Sequence, residues 1–137
     1  MALTVILDTS VLIRLSEPSV RAAVEEVLET ERVARTTITD LEIGFSARSG
    51  AEHDALLGFT AEIDELVVGA PEQRRALSVQ RTLAERGLRG RKIPDLLIAA
   101  AAEISGAQLL HYDQDFDHIA TVTGQSCRWV VPRGSLD

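Results

Sequence analysis

The chain has 137 residues, 45% of them hydrophobic, a single cysteine and a net charge of −7. That suits one globular unit with a sizeable core, read as a single domain over residues 1–137. It excludes an internal disulfide, and no apolar run approaches the roughly 20 residues that span a bilayer. Met1-Ala2-Leu3-Thr4 lacks the basic region of a secretory leader, so a cytoplasmic setting is expected.

Leu3 to Leu7 is short, apolar and without alternation, as in a strand buried on both faces. Ser10 to Leu15 reads as helix. Pro18 and Ser19 restart a helix whose stripe is Val20, Ala23, Val24, Val27 and Leu28, with Glu25, Glu26 and Glu29 outside it. Val33 to Ile38 is a second strand, and Thr39 begins a further helix. Ala51 to Ile63 reads as helical, and Leu66-Val67-Val68 as a short strand or extended link. Pro71 opens a longer helix that stops near Gly87. Pro94 suits the first turn of the next, which Gly106 ends. Gln108 to Tyr112 is a strand, Phe116 to Thr123 a helix and Arg128 to Val131 a last strand. Strands alternating with helices predict an α/β fold with a mainly parallel sheet.

Four acids stand where strands give way to helices: Asp8, Glu42, Asp95 and Asp113, with Asp115 and Asp117 close behind. In a parallel sheet all such junctions lie on one edge, so carboxylates scattered over the chain can meet in one cleft. Oxygen clusters of that kind suit hard divalent cations. Each acid also has a capping reading. Asp8 fits an N-cap. Thr39-Asp40-Leu41-Glu42 matches a capping box, which would turn Glu42 back to the Thr39 amide. Asp95 suits the dipole of a first turn, and Asp113 or Asp115 could cap the last helix. Taken together these readings weaken. A pair of unit charges 4 Å apart repels by roughly 4 kcal/mol at an effective dielectric of about 20. A cation would offset that repulsion.

Without those six acids the net charge is −1, so the acidity is concentrated. Between Arg74 and Lys92 the balance is +6. A solvated helix face and a phosphate-contacting edge both explain that run. Cys127 reads as a small apolar residue of a late strand, and His53, His111 and His118 lack zinc-ligand spacing.

At these acids the chain resembles the PIN-domain ribonucleases, and among them the VapC toxins of bacterial toxin–antitoxin pairs. The resemblance rests on four segments in order. They are Val5-Ile6-Leu7-Asp8-Thr9-Ser10-Val11-Leu12-Ile13, Thr39-Asp40-Leu41-Glu42-Ile43-Gly44, Ile93-Pro94-Asp95-Leu96-Leu97-Ile98-Ala99-Ala100-Ala101-Ala102 and Leu109-Leu110-His111-Tyr112-Asp113-Gln114-Asp115-Phe116-Asp117. The resemblance implies a three-layer fold with a five-stranded sheet and metal-dependent hydrolysis of RNA. It implies one or two Mg²⁺ or Mn²⁺ ions on Asp8, Asp95 and Asp113, with Glu42 bound directly or through water. Asp115 is a less central ligand and Asp117 ranks below it. Ser10 takes a supporting role, and His111 stands where many relatives carry Thr. Arg89, Arg91 and Lys92 are candidates for gripping RNA phosphates. The partners implied are an RNA substrate, a VapB-type antitoxin that inserts an arginine among the acids, and a second copy of the chain. Val20, Val24, Val27, Phe45, Leu56 and Leu57 supply the apolar faces for a homodimer.

A haloacid dehalogenase-type phosphotransferase wants a second Asp where Ser10 stands. A receiver domain wants adjacent acids after the first strand and a late lysine, whereas Asp8 stands alone and the only lysine is Lys92. A PIN-like binding module without activity is the remaining alternative, and the intact acidic set argues against it.

Overall fold

The computed structural model describes residues 2–88 and 91–136. Arg89, one of the candidate RNA contacts, lies outside them. Five strands form one all-parallel sheet in the order β3-β2-β1-β4-β5. They are β1 (Val5–Leu7), β2 (Val33–Arg35), β3 (Asp64–Glu65), β4 (Gln108–His111) and β5 (Cys127–Trp129). The helices among the described residues are α1 (Thr9–Leu12), α2 (Pro18–Thr30), α3 (Thr37–Gly44), α4 (Gly50–Leu56), α5 (Ala70–Glu85), α6 (Ile93–Ser105) and α7 (Asp115–Thr123).

The central strands alternate between two apolar layers, as the period of a strand requires. Ile6 and Leu109 pack against Ala76, Val79 and Leu83 of α5, Ile98 and Ala102 of α6, and Phe116 and Ile119 of α7. Val5, Leu7 and Leu110 pack on the other side against Val11 of α1 and Val20, Val24 and Val27 of α2. The small residues Ala99 to Ala102 let the middle of α6 pack into the core, and Arg75 of α5 clamps Glu103 of α6 with two hydrogen bonds of 2.7 and 3.0 Å. Gly106 (φ 73°) and Gly124 (φ 69°) end α6 and α7 in the left-handed conformation that glycine adopts without steric cost.

Four expectations change. The second strand, expected over Val33 to Ile38, ends at Arg35. Thr36 caps α3, its hydroxyl accepting from the Thr39 amide at 3.4 Å. The region 51–63 breaks into α4 and a 3₁₀ turn, Thr60–Glu62. The middle strand falls at Asp64–Glu65, before Leu66-Val67-Val68. Val20, Val24 and Val27 are core of the chain itself, so these three offer no face to a second copy, and of the α2 stripe Leu28 is the exposed apolar residue. The large exposed apolar side chains in this half include Ile13, Leu28, Leu41, Phe45, Leu56, Phe59 and Val67.

The order of strands decides where a site can form. The chain runs outward from β1 to β2 and β3, then returns to place β4 on the other flank of β1. The carboxyl ends of β1 and β4 therefore border the switch point, where open α/β sheets leave a crevice. Asp8 follows β1 directly and Asp113 lies two residues past β4.

Candidate active site

Asp8 caps α1 and, although outside the closest group of carboxylates, is near enough for its charge to act on Asp95. Its Oδ2 accepts from the Ser10 amide at 2.9 Å, while its Oδ1 is buried without a hydrogen-bond partner. Burial pushes its pKa from 3.8 to about 6, against the Ser10 hydrogen bonds and with help from the charge of Glu42. Ser10 ties the two strand ends together, because its hydroxyl oxygen accepts from the Tyr112 amide just past β4 at 2.8 Å.

Asp95 sits in the first turn of α6, after Pro94, and is 4% exposed. Its Oδ2 also lacks a hydrogen-bond partner. Burial first, and then the negative charge of Asp8, raise its pKa to about 8. Asp113 is held differently. Burial pushes its carboxyl up, but the Asp115 amide at 2.9 Å and the Lys92 ammonium at 2.9 Å outweigh that and keep it below the ordinary value. Asp115 opens α7 and pairs with Arg91 at 2.8 Å. Asp95, Asp113 and Asp115 each offer one oxygen, and all three oxygens lie within 4.8 Å of one another.

Glu42 stands outside that trio. The capping-box reading fails for it: α3 begins at Thr37, so Glu42 lies in the second turn, and its Oε1 accepts from the Thr9 hydroxyl at 2.7 Å. The Thr9 and Thr39 hydroxyls also lie within hydrogen-bonding distance at 3.0 Å, which locks α1 to α3. Sequence reasoning passed over Thr9. A hydroxyl next to the first strand-end acid is the signal that was available. Asp117 is not part of the cluster, since its Oδ1 accepts from the Trp129 indole at 3.2 Å.

The basic run is largely spoken for within the chain. Arg75 holds Glu103, Arg81 pairs with Glu85, and Arg86 donates to the Thr121 carbonyl. Lys92 reaches Asp113 and, at 3.8 Å, Asp95. The candidate phosphate contacts Arg91 and Lys92 thus face the acidic cluster itself.

His111 is fully buried between Phe116 and Trp129. Its Nδ1 accepts from the Asp113 amide at 3.1 Å, and burial lowers its pKa to about 4, so the ring is neutral and steadies the chain beside Asp113. The thiol of Cys127 is pushed up to about 12 by burial, as an inert strand residue requires. The ring of His53 lies over Gly44, where a Cβ would come within 2.5 Å of it.

The family model described as "PIN domain" matches residues 5–122. Ribonuclease VapC51 of Mycobacterium tuberculosis is 57% identical over 137 residues, which cover 100% of both chains. A VapBC-5 structure from the same species has a TM-score of 0.66 at 30% identity, covering 94% of this chain and 98% of that one. A structure of VapBC2 from Rickettsia felis, bound to a DNA fragment from their promoter, superposes with a TM-score of 0.78. It covers 93% of this chain and 98% of that one, and its 16% identity speaks to the fold alone.

Proposed function

The chain belongs to the PIN-domain family, and from that premise we propose that it is a VapC-type endoribonuclease toxin. In this reading it depends on Mg²⁺ or Mn²⁺, acts on RNA in the cytoplasm and is restrained by a VapB-type antitoxin. The supporting observation is the acidic cluster at the switch point. Carboxylate oxygens of Asp95, Asp113 and Asp115 lie within 4.8 Å of one another, and Asp8, whose charge acts on Asp95, keeps like Asp95 a buried oxygen without a hydrogen-bond partner. Buried polar atoms left unpaired are rare and expensive. An all-oxygen donor set fits a hard divalent cation and does not fit zinc.

Asp95, Asp113 and Asp115 would hold the ion, with Asp8 close by at the end of β1 and Glu42 at the margin. A bound ion would supply stabilisation of charge on the scissile phosphate and a lower pKa for the attacking water. The chain's own residues do the rest. Ser10 fixes the Asp8 carboxylate and joins the ends of β1 and β4, so the acids on the two strands keep their spacing. Thr9 orients Glu42, whose free oxygen can accept the proton of the water. His111 holds the Asp113 backbone.

Restraint by an antitoxin has a surface to use. Leu12, Ile13, Leu15, Ile43, Leu56 and Phe59 line an apolar groove of about 420 Å³, with Glu42 at its edge. An amphipathic partner helix seated there would carry an arginine to the acids, where a guanidinium forks onto carboxylates.

The test is cleavage of a structured RNA by the purified chain with Mg²⁺ or Mn²⁺, with EDTA and with Asp95→Asn. Cleavage should require the metal and fall by orders of magnitude in the variant while the protein stays folded. Full cleavage by folded Asp95→Asn would overturn the assignment of Asp95. No cleavage under any metal would leave the fold as a binding module.

A further inference from the structure

A second cleft adjoins the acidic cluster and has different chemistry. Arg14, Tyr112, Gln114, Trp129 and Arg133 line about 460 Å³, with Asp113 in the wall. That is within the roughly 300–1,000 Å³ of small-ligand sites. Three remote segments build it. Arg14 follows α1, one helical turn past Ser10, and donates to the Ser10 carbonyl at 2.8 Å. Its guanidinium lies 5.0 Å from the centre of the Tyr112 ring. Tyr112 meets Trp129 edge-on, with centroids 5.2 Å apart. Arg133 in turn places its guanidinium 5.7 Å from the centre of the Trp129 ring. The cleft therefore holds two cations and two aromatic rings.

The Trp129 indole donates to Asp117, and the Tyr112 hydroxyl accepts from the Leu136 amide at 3.1 Å. Trp129 therefore offers a ligand ring surface rather than a hydrogen bond. Arg14 is bonded to a neutral carbonyl and a ring, with no carboxylate partner among the described residues. Arg133 is 61% exposed, donates to the Gln114 side chain and approaches Asp117 only at 3.9 Å.

We propose that this cleft is a subsite for one unpaired nucleotide flanking the scissile phosphate of single-stranded RNA. The base stacks on the Trp129 and Arg133 surface, and a backbone phosphate meets Arg14. Nucleobases stack on aromatic faces and guanidinium planes with little regard to sequence, and arginine suits phosphate. Asp113 belongs to both the acidic cluster and this cleft, so a strand whose phosphate lies at the acids leads its neighbouring nucleotide here. Because the indole N–H is already used and stacking reads no base edge, all four bases are accepted within a few-fold of one another. The inference rests on the ribonuclease reading and adds a place for the substrate.

Trp129 is the only tryptophan in the chain, so its fluorescence reports on the subsite directly. The protein is titrated in EDTA at low salt with a short single-stranded oligoribonucleotide and with an abasic ribose-phosphate chain of the same length. The oligoribonucleotide should quench Trp129, and the abasic chain should bind at least about fivefold more weakly without quenching. Arg14→Gln should lower the slope of log affinity against log salt by about 0.7, the share of one phosphate on a single strand. The exposed Arg133→Gln should weaken oligoribonucleotide binding and leave the melting temperature unchanged. Absent quenching, equal affinity for the abasic chain, or an unchanged salt slope in Arg14→Gln would overturn the subsite. If RNA is cleaved with metal while Trp129 stays silent, the subsite fails and the ribonuclease reading stands. If RNA quenches Trp129 but no divalent ion supports cleavage, the subsite stands and that reading fails.

Discussion

Asp95 should make the metal-free protein less stable as the pH rises. Its carboxyl titrates near 8 in the folded chain, against an ordinary value of 3.8. Between those values the folded state keeps a proton that the unfolded state has lost, so stability falls with increasing pH. Two other buried groups titrate lower. Asp8, at about 6, contributes the same sign and is spent by then. His111, at about 4, contributes the opposite sign up to about pH 6.5. From pH 6.5 to 8 the slope belongs to Asp95 alone among these three. At about 1.4 kcal/mol per pH unit, that window removes about 2 kcal/mol. The melting temperature should then drop by about 5–10 °C for a chain of this size. Differential scanning fluorimetry in EDTA across pH 6.5–8.5 measures it. Millimolar Mn²⁺ should reverse the drop, because the ion binds the ionised acids and stabilises the folded state by linkage. In Asp95→Asn the profile should be flat and the response to Mn²⁺ lost. A flat wild-type profile, or an undiminished slope in the variant, would refute the electrostatic argument.

Glu42→Gln keeps an acceptor for the Thr9 hydroxyl, so it should melt within about 2 °C of wild type while RNA cleavage falls at least tenfold; a parallel loss of both would make Glu42 structural. Expression of the chain in bacteria should slow growth, Asp8→Asn should abolish the effect, and the adjacent small reading frame should relieve it, all read from growth curves. An Asp8→Asn variant as toxic as its parent would break the link between the acids and toxicity. Sedimentation at tens of micromolar should show a homodimer, and the 91% exposed Phe45 tests which face carries it: Phe45→Ser should shift the equilibrium toward monomer if α3 and α4 lie in the interface, and a dimer of unchanged strength would move the interface elsewhere.

The central strands were legible because β1 is a continuous apolar run, β4 carries Leu109-Leu110 at its centre, and helices between them have their own stops at Gly87 and Gly106. The start of α3 was not. Thr36, Thr37 and Thr39 have strand propensity, yet Thr36 is fully buried and works as a cap. Moving the helix start back to Thr37 moves Glu42 from the capping-box position to the second turn, where it faces Thr9. The capping reading of Asp8 was right without being an alternative, since one carboxylate oxygen caps α1 and the other is left for the cluster. Arg91 and Lys92 are near Asp95 in sequence, but their partners Asp115 and Asp113 come 24 and 21 residues later. No local pattern announces those pairs. The cleft of Arg14, Tyr112, Trp129 and Arg133 was illegible for the same reason.

The distribution of partners within the cluster separates its two purposes. Asp113 and Asp115 are balanced from within, by Lys92 and Arg91. Asp8 and Asp95 are the most buried of the acids, and each keeps an oxygen with no partner. If capping were the whole of their role, Asn at position 8 would serve α1 equally well without a buried charge. At position 95 a neutral residue would forfeit only the modest gain from the helix dipole. The fold instead carries two acids whose pKa values rise because burial penalises their charge, with Lys92 at 3.8 Å offsetting only part of the rise at Asp95. Strained, titratable groups of this kind gather at functional sites. A stability screen of position 95 in EDTA at pH 8 should therefore favour Asn over Asp, while a screen for RNA cleavage should favour Asp. The same preference in both screens would mean that Asp95 is held there by packing and not by chemistry.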